Sequence, residues 1–300
     1  MTRTSGISGA WLLGLAGFGL LTLGDSVIKT IAGQWPGMAV AALRFAIGTA
    51  GLGMLLWLRQ GRTGFALQRP WLQVARGLAL AAATAFFFSA LHIMPLAEAT
   101  AIQFASPVLT ALLSAALLGE RIRRTVWGAI GLAFVGVLIV LRPNIDALGI
   151  AALLPLGAAA GMAALILLNR ATTGDVTPLG AQFFVAAAAT PFLAFAAMAG
   201  HLTGLPALQV GWPDLSVVLR CALVAVSAST AHGLIYLATM RASAATIAPT
   251  VYVQILVATL IGILWFGDWP DAIALGGTAL IIAAGIWLWR QGRAPDKGGS

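Results

Sequence analysis

The sequence is poor in charge and in cysteine. Only 9% of its 300 residues are Asp, Glu, Lys or Arg, whereas soluble domains carry about 25%, so a soluble globular protein is excluded. The single Cys221 excludes an intramolecular disulfide and a metal site built from several cysteines. The three histidines form no metal-ligand cluster, and neither a Gly-x-Ser-x-Gly turn nor a Walker motif occurs. We therefore expect no catalytic residue, no metal and no cofactor.

Long apolar runs separated by short polar loops fill the chain instead. Hydrophobic residues make up 60% of it, and its mean hydropathy is +0.96. Such runs predict an all-α polytopic membrane protein. We place ten transmembrane helices at residues 10–32, 37–58, 72–92, 95–118, 125–142, 148–168, 178–199, 215–239, 243–265 and 271–289. Ten helices of about 20 residues leave room for loops and tails only, so the function must be exerted within or across the membrane.

The net charge of +8 is distributed unevenly along the chain. If the N-terminus is cytoplasmic, twelve Lys and Arg residues fall in the inner segments and only Arg142 falls in an outer loop. This bias predicts that both termini are cytoplasmic. It also accounts for the positive charge without nucleic-acid binding, because no basic, aromatic-rich soluble domain is present. The expected surroundings are a lipid bilayer, and we expect a monomer.

The second half of the chain repeats the pattern of the first. A shift of 148 residues pairs Pro95 with Ser243, Phe104 with Tyr252, Gly119–Glu120 with Gly267–Asp268, and Gly128 with Gly276. Five spans per half is an odd number, so the second half must enter the membrane upside down relative to the first. We assign residues 1–144 to the first five-helix repeat, 145–290 to the second, inverted repeat and 291–300 to a cytoplasmic tail. Inverted repeats are typical of secondary transporters, whose substrate site lies near the midplane between the halves.

Several short motifs carry a resemblance to a known family. They are Leu43-Arg44-Phe45, Ala97-Glu98-Ala99, Ser106-Pro107-Val108, Leu118-Gly119-Glu120-Arg121 and the stretch from Gly128 to Gly136. With these motifs the chain resembles the drug/metabolite transporter superfamily, EamA type, which includes bacterial amino-acid exporters. The resemblance implies two tandem five-helix units in a multi-pass protein of the bacterial inner membrane. The second copy departs from the pattern, since Ile255 stands where Pro107 is in the first, which indicates that the halves have diverged.

The ionisable residues Asp25, Lys29, Arg44 and Glu98 lie inside predicted spans, where charge is costly and often functional. Asp25 and Lys29 are four residues apart and can either neutralise each other or contact the substrate or a gate. Arg44 can pack against helix-end carbonyls or Asp25, or it can bind substrate. Glu98 can stabilise the start of its helix, or it can carry protons for coupled transport. We predict that these four residues serve coupling or gating.

Uncharged polar and aromatic side chains at mid-membrane depth are expected to face inward, because lipid rarely tolerates unpaired polar groups. His232 shares a helix face with Ser229 and Tyr236, as a hydrogen-bonded packing residue or as a cavity-lining one. The predicted substrate-binding residues are Phe88, Gln103, Ser106, His232, Tyr236, Tyr252 and Gln254. A mostly apolar and aromatic cavity of this kind suits small zwitterions with hydrophobic side chains, or lipophilic metabolites.

These observations predict a secondary transporter that moves a small-molecule substrate by alternating access. The resemblance favours export of amino acids, with hydrophobic or aromatic ones preferred. One alternative is transport of another metabolite or drug, such as a nucleoside-like or lipophilic compound. A further alternative is a membrane-embedded enzyme that uses Ser229 and His232.

Overall fold

The computed structural model describes residues 2–118, 124–172, 176–241 and 248–292. Within these ranges all regular structure is helical. The α-helices are α1 (Thr2–Lys29), α2 (Gly37–Gln60), α3 (Pro70–Leu91), α4 (Leu96–Gln103), α5 (Ser106–Leu118), α6 (Arg124–Leu148), α7 (Leu154–Ala171), α8 (Pro178–Leu202), α9 (Leu215–Arg241), α10 (Val253–Ile261) and α11 (Ala272–Gly292). Short 3-10 turns lie at Gly61–Phe65, Gly149–Leu153, Pro206–Leu208 and Ala248–Tyr252, and a π-helical turn lies at Gly262–Phe266.

The helices are grouped here by the ten predicted spans, in chain order. Spans 1 to 3 are α1 to α3, span 4 is α4 with α5, spans 5 to 8 are α6 to α9, span 9 is α10 with the turns on either side, and span 10 is α11. In the part of the chain that the structure describes, seven spans are long and apolar enough to cross a membrane. Spans 5, 9 and 10 are shorter apolar helices, at Trp127–Arg142, Thr250–Phe266 and Ala272–Trp287. The predicted all-α polytopic membrane protein is confirmed.

Small residues let the spans approach closely. A Cβ atom added to Gly277 would lie 2.8 Å from the carbonyl oxygen of Gly136, where spans 10 and 5 cross. A Cβ on Gly17 of span 1 would lie 2.9 Å from the carbonyl oxygen of Ala231 in span 8. Because lipid is as apolar as the helices, such backbone contact is what drives helices together in a membrane.

The packing of the spans follows a regular pattern. Span 1 packs against spans 8 and 9, and span 6 packs against spans 3 and 4. Span 2 packs against span 7, and span 5 against span 10. Adding five to both span numbers, and returning to span 1 after span 10, converts the contacts of span 1 into those of span 6. The same operation leaves the pairs of spans 2 and 7 and of spans 5 and 10 unchanged. Two related halves would produce this pattern. The division of the chain at residue 144, the inversion of its second half and the cytoplasmic termini stay predictions.

Spans 4 and 9 are discontinuous. Span 4 breaks between Gln103 and Ser106, immediately before Pro107. Proline has no N–H to donate and disfavours helical backbone at the preceding residue, so the sequence explains the break. The described part of span 9 runs from the 3-10 turn that contains Pro249, through α10, to the π-helical turn. Discontinuous helices in corresponding positions of two halves mark the place where secondary transporters bind their substrates.

Candidate functional site

The breaks in spans 4 and 9 bring two aromatic rings together. Phe104 follows the last residue of α4, and Tyr252 precedes the first residue of α10. Their ring centroids lie 5.7 Å apart at an angle of 44°. The Tyr252 hydroxyl points at span 10, where a Cβ on Gly285 would lie 1.6 Å from it. Tyr252, a predicted substrate-binding residue, therefore meets span 4 with its ring and span 10 with its hydroxyl.

Arg44 lies in the middle of span 2 against two aromatic rings. Its Cζ is 5.0 Å from the ring centroid of Phe45 and 5.4 Å from that of Phe88. Phe88 is buried, with 2% of its surface exposed. Within the described residues the guanidinium has neither a hydrogen bond nor an ion pair. An arginine at the membrane centre costs about 2.5–3.5 kcal/mol, which cation–π contacts offset only in part.

Asp25 of span 1 and Arg44 of span 2 flank the same stretch of span 8, because Gly24 lies against Val224 and Ser227 and Gly48 lies against Ala225. No ion pair joins the two side chains, so the nitrogens of Arg44 lie more than 4.0 Å from the carboxylate oxygens of Asp25. The Asp25 carboxylate also accepts no hydrogen bond from any described residue. Of the partners predicted for Arg44, Asp25 is therefore the one that the structure places near it, without an ion pair between them.

His232 of span 8 belongs to the same group of residues. It lies on the helix face through which Cys221 and Ala225 approach span 2. His232 is exposed, and Asp25 and Arg44 are partly exposed. We call Asp25, Arg44 and His232 the central cluster.

Ser229 does not contact His232. Its hydroxyl donates to the carbonyl oxygen of Ala225 at 2.9 Å, one turn back along its own helix. A serine nucleophile needs its base within hydrogen-bond reach, so the pair is not set up for hydrolysis. The side chain of Tyr236, which was predicted on the same face, lies outside the described residues.

The other predicted residues of spans 4 and 9 lie around the two breaks. Gln103 is the last residue of α4 and Ser106 the first of α5; the former is partly buried and the latter buried. Gln254 is partly buried in α10. In the described ranges the side chains of these three residues make no hydrogen bond. Glu98 lies in the first turn of α4 and is partly buried.

Lys29 is paired with a residue that the sequence analysis had not assigned to it. Its Nζ lies 2.5 Å from Oδ2 of Asp268 and 4.6 Å from the ring centroid of Phe266. The predicted alternative of an Asp25–Lys29 pair is therefore wrong. Lys29 is one helical turn nearer the end of span 1 than Asp25, and its long side chain reaches the end of span 9 instead. The matched Gly-acidic motifs at 119–120 and 267–268 were the signal that could have pointed to Asp268.

Arg220 of span 8 holds the same end of span 1. Its Nη1 donates to the carbonyl oxygen of Thr30 at 3.0 Å, and its Nη2 donates to Oε1 of Gln34 at 2.6 Å. A cation is favourable there, because the last carbonyls of a helix lack intrahelical partners. Arg220 and the Lys29–Asp268 pair together tie span 1 to spans 8 and 9 at the end predicted to face outward. We call these contacts the outer closure.

A buried polar cluster joins the ends of spans 3 and 6 that are predicted to face the cytoplasm. The Arg76 Nε donates to Oδ1 of Asn169 at 2.7 Å, and its Nη1 donates to Oε1 of Gln73. Arg76 and Gln73 are 5% and 2% exposed. Sequence reasoning missed this cluster, since its partner residues lie 93 positions apart in the chain.

Comparisons with known proteins agree with this architecture. The model of the EamA-like transporter family matches residues 8–142. A riboflavin transporter of Rhizobium johnstonii is 28% identical over 77% of this chain and 74% of its own length. The pseudopaline exporter CntI of Pseudomonas aeruginosa is 28% identical over 94% and 96%, and an S-adenosylmethionine uptake transporter of Rickettsia prowazekii is 25% identical over 93% and 92%.

The fold also recurs in a solved structure. A crystal structure of a protein that is 22% identical covers 96% of this chain and 99% of its own, with a TM-score of 0.58. At this identity the likeness shows the fold alone.

Proposed function

We propose that this chain, as an EamA-like transporter of the drug/metabolite superfamily, exports amino acids across the bacterial inner membrane. Transport follows from the family. The substrate, the direction and the membrane are our proposal. Amino acids with hydrophobic or aromatic side chains are the preferred class.

The central cluster is the observation that carries this proposal. Asp25 and Arg44 are ionisable groups of opposite sign in spans 1 and 2, and neither side chain has a hydrogen bond within the described residues. Aromatic rings lie beside Arg44 and at the breaks of spans 4 and 9. A small molecule with charges of both signs and an apolar side chain complements such a surface.

The relatives support transport but do not choose among substrates. They are named for riboflavin, pseudopaline and S-adenosylmethionine, and for export as well as uptake. The preference for amino acids therefore rests on the chemistry of the central cluster. Transport of a nucleoside-like or lipophilic compound is the alternative outcome of the experiment below.

The outer closure supports an alternating-access mechanism. Its contacts are an ion pair and hydrogen bonds between spans 1, 8 and 9, which can break and re-form without disrupting an apolar core. In the proposed cycle these contacts open once the substrate has bound from the cytoplasm. Glu98 is the candidate for proton coupling, and facilitated diffusion is its alternative.

Efflux from proteoliposomes tests the function. Purified protein is reconstituted, the vesicles are loaded with a panel of labelled amino acids, nucleosides and lipophilic drugs, and release is followed against protein-free vesicles. We expect saturable efflux of hydrophobic or aromatic amino acids that an excess of unlabelled substrate inhibits. Movement of nucleosides or lipophilic compounds without any amino acid would overturn the proposed substrate class.

A further inference from the structure

We propose that Asp25 and Arg44 form a two-point receptor for one zwitterionic substrate. Asp25 binds the ammonium group of an α-amino acid and Arg44 binds its carboxylate. The inference rests on the proposed function and assigns the atoms that recognise the substrate. Among the alternatives that the sequence left open for these two residues, it chooses substrate binding over coupling or gating.

Arg44 has the donors that a carboxylate needs. Its guanidinium carries five N–H groups in a planar fork that matches a carboxylate in bidentate fashion. The rings of Phe45 and Phe88 hold the cation in place, but they leave its N–H groups without acceptors. No described residue supplies one. A substrate carboxylate would accept charge-assisted hydrogen bonds of about 2.8 Å from these N–H groups.

Asp25 supplies the opposite charge at a suitable position. A direct Asp25–Arg44 ion pair would satisfy both residues, yet the structure does not form it. Both residues flank the same stretch of span 8, which Gly24 meets at Val224 and Ser227 and Gly48 meets at Ala225. The gap between them is therefore bounded by an acceptor on one side and by donors on the other. An α-amino acid presents the complementary groups two bonds apart and can bridge that gap.

The surrounding ionic contacts keep this pair available. Lys29, the nearest cation to Asp25 along the helix, is bound to Asp268. Arg220 is bound to the end of span 1. Neither competes for the Asp25 carboxylate in this conformation. His232 lies on the face of span 8 that approaches span 2.

The receptor predicts a specific pattern of inhibition for the unmodified protein. Labelled phenylalanine or leucine is bound to the purified protein in detergent, and the amide and the N-acetyl derivative of the same amino acid are tested as competitors. The amide lacks the carboxylate charge and the N-acetyl compound lacks the ammonium charge. We expect each derivative to compete at least tenfold more weakly than the parent amino acid. Equal competition by either derivative overturns the receptor.

Two variants then assign each charge to its residue. Arg44→Gln should weaken amino-acid binding at least tenfold and make the amide as good a competitor as the parent. Asp25→Asn should do the same for the N-acetyl derivative. Arg59→Gln, at the exposed end of α2, is the matched control and should bind like the unmodified protein. Weakened binding with unchanged selectivity in both variants would show a structural role and overturn the assignment.

The outcomes separate this inference from the proposed function. Selective binding without efflux from proteoliposomes would retain the receptor and reject transport of amino acids. Efflux of amino acids that the amide and the N-acetyl derivative inhibit equally well would retain transport and reject the receptor. Absence of both binding and efflux rejects both.

Discussion

The rings of Phe104 and Tyr252 touch, with centroids 5.7 Å apart, although 148 residues separate them in the chain. The same shift relates the two halves of the sequence, and each residue stands at the break of its span. Equivalent residues from two related halves can touch only near the axis that relates them. Under the predicted repeat, the contact therefore places the axis that relates the two halves between spans 4 and 9.

Gly285 is required by the position of Tyr252. In Gly285→Ala the new Cβ would lie 1.6 Å from the hydroxyl and 2.8 Å from Cζ of Tyr252, so the ring must move away from Phe104. We expect a loss of about 1–3 kcal/mol of stability and impaired transport, measured by thermal unfolding in detergent and by efflux. Gly276→Ala in the same helix is the control, since nothing lies within 4 Å of its Cβ position. Equal effects of the two substitutions would contradict this explanation.

The Lys29–Asp268 pair should hold the outer side closed. Its side chains are 13% and 26% exposed, and a hydrogen bond to a charged group contributes about 1.5–3 kcal/mol. We expect Lys29→Asp to shift the protein about ten- to a hundredfold towards the outward-open form. The measurement is labelling of a cysteine introduced at Gln103 by an impermeant maleimide added from outside, in a Cys221→Ser background.

Charge exchange is the control for that prediction. Lys29→Asp combined with Asp268→Lys should restore slow labelling, because the pair is rebuilt with its charges reversed. Asp214→Lys changes an exposed acidic residue just before α9 and should leave labelling unchanged. Fast labelling in the exchanged variant would show that the ion pair does not maintain the closure.

Arg220 should stabilise the end of span 1 through Gln34 and Thr30. We expect Arg220→Ala to lower the free energy of unfolding by about 1–2 kcal/mol, a discounted value because the contacts are partly exposed. A double-mutant cycle with Gln34→Ala isolates the side-chain part of this contribution. Thermal unfolding in detergent supplies the energies. Strictly additive effects would mean that the 2.6 Å bond to Gln34 contributes nothing.

Glu98 is tested through the pH dependence of transport. If its carboxylate carries the coupled proton, Glu98→Gln removes the titrating group, and efflux should no longer respond to a pH gradient. The measurement is efflux from proteoliposomes over a range of imposed gradients. Asp214→Asn is the control and should keep the response of the unmodified protein. A gradient response that persists in Glu98→Gln would retire the coupling role.

The helical architecture was predictable because membrane solvation acts locally. Any stretch of about 20 apolar residues must form a helix in a bilayer to satisfy its own backbone. Seven of the ten predicted spans coincide with helices that are long and apolar enough to cross a membrane, and the other three coincide with shorter apolar helices. The break in span 4 was less evident: residues 95–118 were predicted as one helix, although Pro107 carried the signal for the interruption.

The candidate site was only partly predictable. Hydropathy alone identified Asp25, Lys29 and Arg44 individually, because a charged residue inside a membrane span is costly. The sequence did not predict the interaction partners of these residues, because helical spacing relates only residues on the same helix. The four-residue spacing suggested Asp25 with Lys29, whereas Lys29 reaches Asp268, 239 residues away.

The sequence by itself thus determined that this protein is a bundle of apolar helices with a few ionisable groups inside it. Apolar length and the cost of buried charge are properties of single segments. Only the tertiary structure decided which charges meet. Lys29 is neutralised by Asp268 where spans 1 and 9 end together, and no ion pair joins Asp25 to Arg44. Such pairings depend on how the helices cross, which no local pattern encodes.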